Sequence, residues 1–262
     1  MLRTSDGGQT DDGALSGPDA FVVACFLAVA LYNFMELNFS ILTTFKRRSG
    51  LYFWSFVAAT WGIPPYSIGF LLKNFRPATN GYVYVTLIVV GWWPMVTGKP
   101  AVLRGVLIMI IVDALLCQIP TAVLVYGANS SNPDPFVKPY SVYEKIQVTV
   151  FFLQEMIISG LYIFETVKFM RATAIAGREG HRDLMRHLIG VSVLVVILDI
   201  TILAFEYANL YSLQTSYKAL AYSVKLKLEF SILNRLVVIT QDRRGSSCAG
   251  LQSDRRQQSA QQ

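Results

Sequence analysis

Five acids and two lysines, Glu36, Asp113, Glu155, Asp199, Glu229, Lys225 and Lys227, stand near the middle of apolar runs long enough to cross a bilayer. A charge at the bilayer centre costs roughly 2.5 to 3.5 kcal/mol on insertion scales, so each is expected to face a protein interior and find a partner there. Intramembrane ionisable residues mark ion paths, proton relays or ligand counter-ions. Lys225 and Glu229 are one helical turn apart, within reach of a salt bridge. Asp199 sits at mid-depth on the preceding span, which runs the opposite way, so these three are expected to form one buried cluster. Lys227 is turned about 200° around the helix from Lys225 and needs another partner, or must snorkel.

Uncharged polar residues extend the pattern. Asn33, Glu36, Ser40 and Thr44 recur at helical spacing and form one stripe. Ser192, Asp199 and Glu206 do the same at steps of seven. Gln147, Gln154 and Glu165 lie near one line of a helix while Glu155, Ser159, Tyr162 and Thr166 form a second, as expected of a central helix with two neighbours. Lys218, Tyr222, Lys225 and Glu229 share one face. A purely structural role also fits such stripes, through interhelical hydrogen bonds worth about 0.6 kcal/mol each. Pro64 and Pro65, in Gly62-Ile63-Pro64-Pro65, have no N–H to donate and are expected to break or kink their helix, giving a hinge, a cavity wall or a static bend.

The elements that position these residues follow from composition. Hydrophobic residues make up 53% of the chain and charged residues 15%, too apolar for an ordinary soluble domain of 262 residues. Seven stretches reach or approach the roughly 20 residues that a helix needs to cross a bilayer: Ala20 to Phe45, Leu51 to Leu72, Gly81 to Thr97, Arg104 to Ala128, Ile146 to Val167, His187 to Ala208 and Leu213 to Thr240. The expected fold is an all-α membrane protein, a seven-transmembrane-helix bundle with short loops. Its domains are an exoplasmic tail (1–18), the membrane domain (19–240) and a basic cytosolic tail (241–262).

Basic residues orient it. With the amino terminus outside, fourteen Lys and Arg are cytosolic, among them Lys46, Arg47, Arg48, Arg178, Arg182, Arg186, Arg243 and Arg244, against five exoplasmic, Arg3, Lys73, Arg76, Lys138 and Lys145. The amino terminus is therefore expected outside and the carboxyl terminus in the cytosol. No cleavable signal peptide is expected, because the first apolar stretch is too long. The net charge of +6 resides beside the spans, which suits anionic lipid headgroups and not nucleic acid.

Other chemistry is thin. Cys248 is a candidate for palmitoylation or a plain thiol, and Asn129-Ser130-Ser131 is a glycosylation sequon close to a span. His181 and His187 share a loop without a cysteine nearby, a weak metal pattern. No phosphate loop, nucleophile elbow or zinc spacing appears, so no catalytic residue, metal or cofactor is expected.

Three strings carry a resemblance: Phe45 to Ser55 (FKRRSGLYFWS), Tyr140 to Gln147 (YSVYEKIQ) with Gln154-Glu155, and Tyr222 to Phe230 (YSVKLKLEF) with Asn234-Arg235-Leu236. With them the chain, from about Phe21 to Thr240, resembles a family of fungal seven-helix integral membrane proteins classed as a domain of unknown function. The resemblance implies a membrane protein and supplies no activity. After Trp92-Trp93-Pro94-Met95-Val96-Thr97-Gly98 the family pattern runs longer before the fourth span, whereas here Lys99-Pro100-Ala101-Val102 leads almost directly into it, leaving a short third helix.

A receptor-like or sensory protein in the plasma membrane or an endomembrane fits this topology best, with an unidentified small ligand or ion as partner. The rhodopsin-class marks Asp-Arg-Tyr and Asn-Pro-x-x-Tyr are absent. A small solute or proton-coupled transporter using the buried carboxylates is the alternative, though no inverted repeat is evident. A retinal protein would use Lys225, but the third span lacks the Arg and Asp pattern of microbial rhodopsins.

Overall fold

Apolar runs punctuated by Gly, Pro and charged loops give helices, and the computed structural model describes residues 17–44, 51–75, 81–97, 104–130, 134–174, 181–208 and 210–232. These hold α1 (Pro18–Thr44), α2 (Leu51–Phe75), α3 (Gly81–Thr97), α4 (Arg104–Asp113), a π-helical turn (Ala114–Gln118), α5 (Ile119–Ala128), α6 (Asp134–Ala174), α7 (His181–Tyr207) and α8 (residues 211–232). The described residues are all helical apart from turns and caps. Among the described residues three stretches are long and apolar enough to cross a membrane: Pro18–Thr44, Ile108–Ala128 and Ile189–Tyr207. The chain divides into two compact units, Met1–Leu226 and Lys227–Gln262. The basic loop segments 45–50, 98–103 and 175–180, Cys248, nearly all of the expected exoplasmic tail (1–16) and the whole expected cytosolic tail (241–262) lie outside the described residues.

In the first unit the tightest packing is between α2 and α3, and glycine permits it. A Cβ on Gly62 would sit 2.5 Å from the Gly91 carbonyl oxygen, and one on Gly91 would overlap the Tyr66 backbone nitrogen. Small residues let membrane helices approach at backbone distance, where dispersion replaces the hydrophobic effect as the driving force. Met95, Ile63 and Phe56, each with 0% of its surface exposed, fill the remaining space. Outward faces carry Met35, Phe39, Trp61, Leu116, Ile157 and Ile197, all exposed. That is the inverse of a soluble surface and the pattern expected against lipid.

Three elements differ from the sequence reading. α2 runs through Pro64 and Pro65 as one continuous helix, so of the expected break or kink there is no break. Proline is tolerated in membrane helices where neighbours re-satisfy the carbonyls it frees. The fourth span is divided by the π turn, just before Pro120. Four residues earlier, the Leu116 carbonyl accepts a hydrogen bond from the Tyr143 hydroxyl at 2.5 Å, in place of the amide that Pro120 lacks. α6 begins at Asp134 and not near Ile146, for an acidic residue followed by proline is a favourable helix start. Its 41 residues span about 60 Å, twice a hydrocarbon core.

Candidate functional site

The polar face of α8 organises the interior. Lys218 and Lys225 stand seven residues apart on it, and on the antiparallel α7 Glu206 and Asp199 are spaced the same way. The two helices therefore meet in rungs. Lys225 donates to Asp199 Oδ1. Lys218 Nζ lies 3.8 Å from Glu206 Oε2 and 3.4 Å from Glu144 Oε1 of α6. All five side chains are buried. Gln214, one turn before Lys218, donates to Glu206 as well. Aromatic faces complete the solvation of the amines: Lys218 Nζ is 5.5 Å from the Trp92 ring centroid and Lys225 Nζ is 4.7 Å from that of Tyr222.

Above the Lys218 rung is a cavity with about 710 Å³ of empty space, part of it open to the outside. Its rim is built from helix ends. Lys73 comes from the last turn of α2, Tyr84 from the first turn of α3, Asn129 from the cap of α5 and Tyr211 from the start of α8. Tyr84 donates to Asn129 Oδ1 at 3.0 Å, and Asn129 Nδ2 donates to the Val125 carbonyl at 2.8 Å, so the sequon amide is engaged within the fold. Lys73 lies over the Tyr211 ring at 4.5 Å. Burial first, and then the nearby Glu144 carboxylate, push the hydroxyls of Tyr140 and Tyr211 well above the ordinary tyrosine range, so both stay protonated. Gln118 and Gln147 line the wall below, with Thr121 Oγ1 2.7 Å from Gln147 Oε1. A second, smaller cavity shares Trp92, Val148 and Lys218 with the first and reaches Asp199 and Tyr222.

Of the ionisable residues singled out by sequence, Asp199 and Lys225 come together, and Glu155 is buried on α6. Asp113 is half-buried at the end of α4. Glu36 is a correction: it is exposed on the outer face of α1, beside the exposed Tyr32, Met35 and Phe39. The inward face of that helix is set by Val23, Leu27, Ala30, Asn33, Leu37 and Ile41, and of the expected polar stripe Asn33 alone is buried, donating to Ser223 Oγ at 3.0 Å. Lys227 and Glu229 lie past Leu226, half-buried in the second unit. Pro64 and Pro65 are half-buried in α2.

Several residues that ring the cavity are not site candidates by sequence. Glu144 precedes the expected fifth span, and Gln118 is an uncharged residue inside an apolar run. The one visible signal for Gln118 is its place as the lone amide between Asp113 and Asn129.

Residues 10–252 match the family described as domain of unknown function DUF7703. The chain belongs to that family. No curated protein and no solved structure matches it. The family covers every helix of the rungs and the cavity, so the buried charges lie within the family domain itself.

Proposed function

We propose that the chain is a receptor-like or sensory membrane protein with seven spans, its amino terminus exoplasmic, its carboxyl terminus cytosolic, and its cavity occupied by a small ligand from the exoplasmic side. The supporting observation is where that cavity lies. Its rim consists of the end of α2, the start of α3, the cap of α5 and the start of α8, and the fourteen-to-five distribution of basic residues makes that end exoplasmic. α2, α6 and α8 complete the spans with their polar residues turned inward, and α3, at 17 residues, crosses with little tilt. The basic cytosolic loops meet anionic lipid. In this reading the protein is not an enzyme, does not bind nucleic acid, and is multi-pass in the plasma membrane or an endomembrane.

A reporter fused after Gln262 is expected in the cytosol, and ligands found in a thermal-shift screen of the purified protein are expected to stabilise it without being moved across a proteoliposome. An exoplasmic reporter would turn the cavity towards the cytosol and end the proposal. The second cavity favours one other reading, a small solute or proton-coupled transporter, because it continues past Trp92 and Lys218 towards Asp199. Ligand-dependent flux that stops in Asp199→Asn would establish that reading instead.

A further inference from the structure

We propose that the cavity binds a small planar molecule carrying a hydrogen-bond donor and acceptor side by side, such as a nucleobase or an aromatic primary amide, and that Gln118 reads that edge. The inference rests on the ligand-binding reading above and names the ligand's chemistry. Gln118 lines the cavity with 2% of its surface exposed, and among the described residues neither its Oε1 nor its Nε2 has a hydrogen-bond partner. Gln147, 3% exposed in the same wall, leaves its Nε2 without one. Buried polar atoms in folded proteins are nearly always partnered. A carboxamide with neither end hydrogen-bonded offers one donor and one acceptor at a fixed spacing, the complement of an adenine-type edge.

The backbone places it there. Gln118 closes the π turn, and one extra residue in a helix rotates everything after it by about 100°. Such turns recur at functional sites. Tyr66, Tyr84, Trp92 and Trp93 supply flat aromatic walls around the same space, suited to stacking a ring. The two cations that line the cavity already have partners, Lys73 in the Tyr211 hydroxyl and ring and Lys218 in the Glu144 carboxylate.

The test uses the full chain, purified in detergent, with adenine, uracil and benzamide as probes, and purine and N,N-dimethylbenzamide as partners lacking the paired edge. Binding is followed by tryptophan fluorescence, since Trp92 and Trp93 line the cavity. At least one edge-bearing probe is expected to saturate, with its edge-deficient partner at least about tenfold weaker. Gln118→Leu is expected to weaken that probe by about tenfold to a hundredfold without lowering the melting temperature, since the lost amide makes no bond in the unliganded protein. Should that variant not fold, the discrimination by the unaltered chain decides alone. Equal binding of edge-bearing and edge-deficient probes overturns the inference, as does unchanged affinity in Gln118→Leu, which would mean that water satisfies the amide. If no probe binds while other compounds fill the cavity, this inference fails and the receptor reading stands; if nothing binds, both fail.

Discussion

Lys225 keeps 1% of its surface exposed, and its amine meets Asp199 on one side and the Tyr222 ring on the other. Removing one partner of a buried pair leaves a charge that nothing else solvates, at a cost of about 3 to 5 kcal/mol, whereas replacing both by apolar groups is often neutral. Lys225→Met is therefore expected to lower unfolding stability by that amount, and Lys225→Met with Asp199→Leu to recover most of it. A double variant as unstable as the single would show that the pair does more than neutralise itself. The tyrosines at the rim predict a pH effect. Tyr140 and Tyr211 hold their protons far above the ordinary value of about 10, while the unfolded chain releases them there. A raised folded value contributes stability that is complete below pH 10 and is lost as pH rises above it, by up to about 1.4 kcal/mol per unit for each group. Melting temperature measured against pH should fall above pH 10, and less steeply in Tyr211→Phe.

At the scale of elements, the α2–α3 crossing and the π turn make separate predictions. Gly91→Leu must push apart two backbones already in contact, so a loss of about 1 to 3 kcal/mol or more is expected. Gly160→Ala, whose new methyl meets nothing within 4 Å among the described residues, should be neutral or slightly stabilising in the same melting assay. Tyr143→Phe removes the donor to the Leu116 carbonyl and should cost about 1 kcal/mol. In a Pro120→Ala background, where a backbone amide becomes available, the same change should cost less. The limits of α3 were legible in the sequence because Gly81 and the charge after Thr97 bound an uninterrupted apolar run. The π turn was not, since it depends on a carbonyl partner from α6, twenty-seven residues along the chain.

For the whole molecule, helical class and a polar interior followed from apolar runs with charges at seven-residue steps, and the buried Ser192, Asp199 and Glu206 lie on the face that this spacing describes. The cavity did not follow. Its rim is assembled from the ends of α2, α3, α5 and α8, and which helix ends meet is a property of packing order that local periodicity does not carry. Glu36 shows the same limit, for spacings of three and four describe a stripe without saying which side of the stripe faces inward.

The matched rungs of α7 and α8 also act as a key in a lock. Sliding one helix along the other by a single turn, about 5.4 Å, would bring Lys218 and Lys225 opposite apolar positions, and the next register in which a lysine again meets an acid is a full seven residues away, about 10 Å. Intermediate positions strand charges in a dry interior. α7 and the described start of α8 up to Leu226 are therefore expected to move together. On the proposed reading, a movement that follows ligand binding is left to α2, α3 and the π turn before Pro120. Cysteine pairs bridging α7 and α8 should crosslink at the same rate with and without ligand, while pairs bridging α3 and α5 should not.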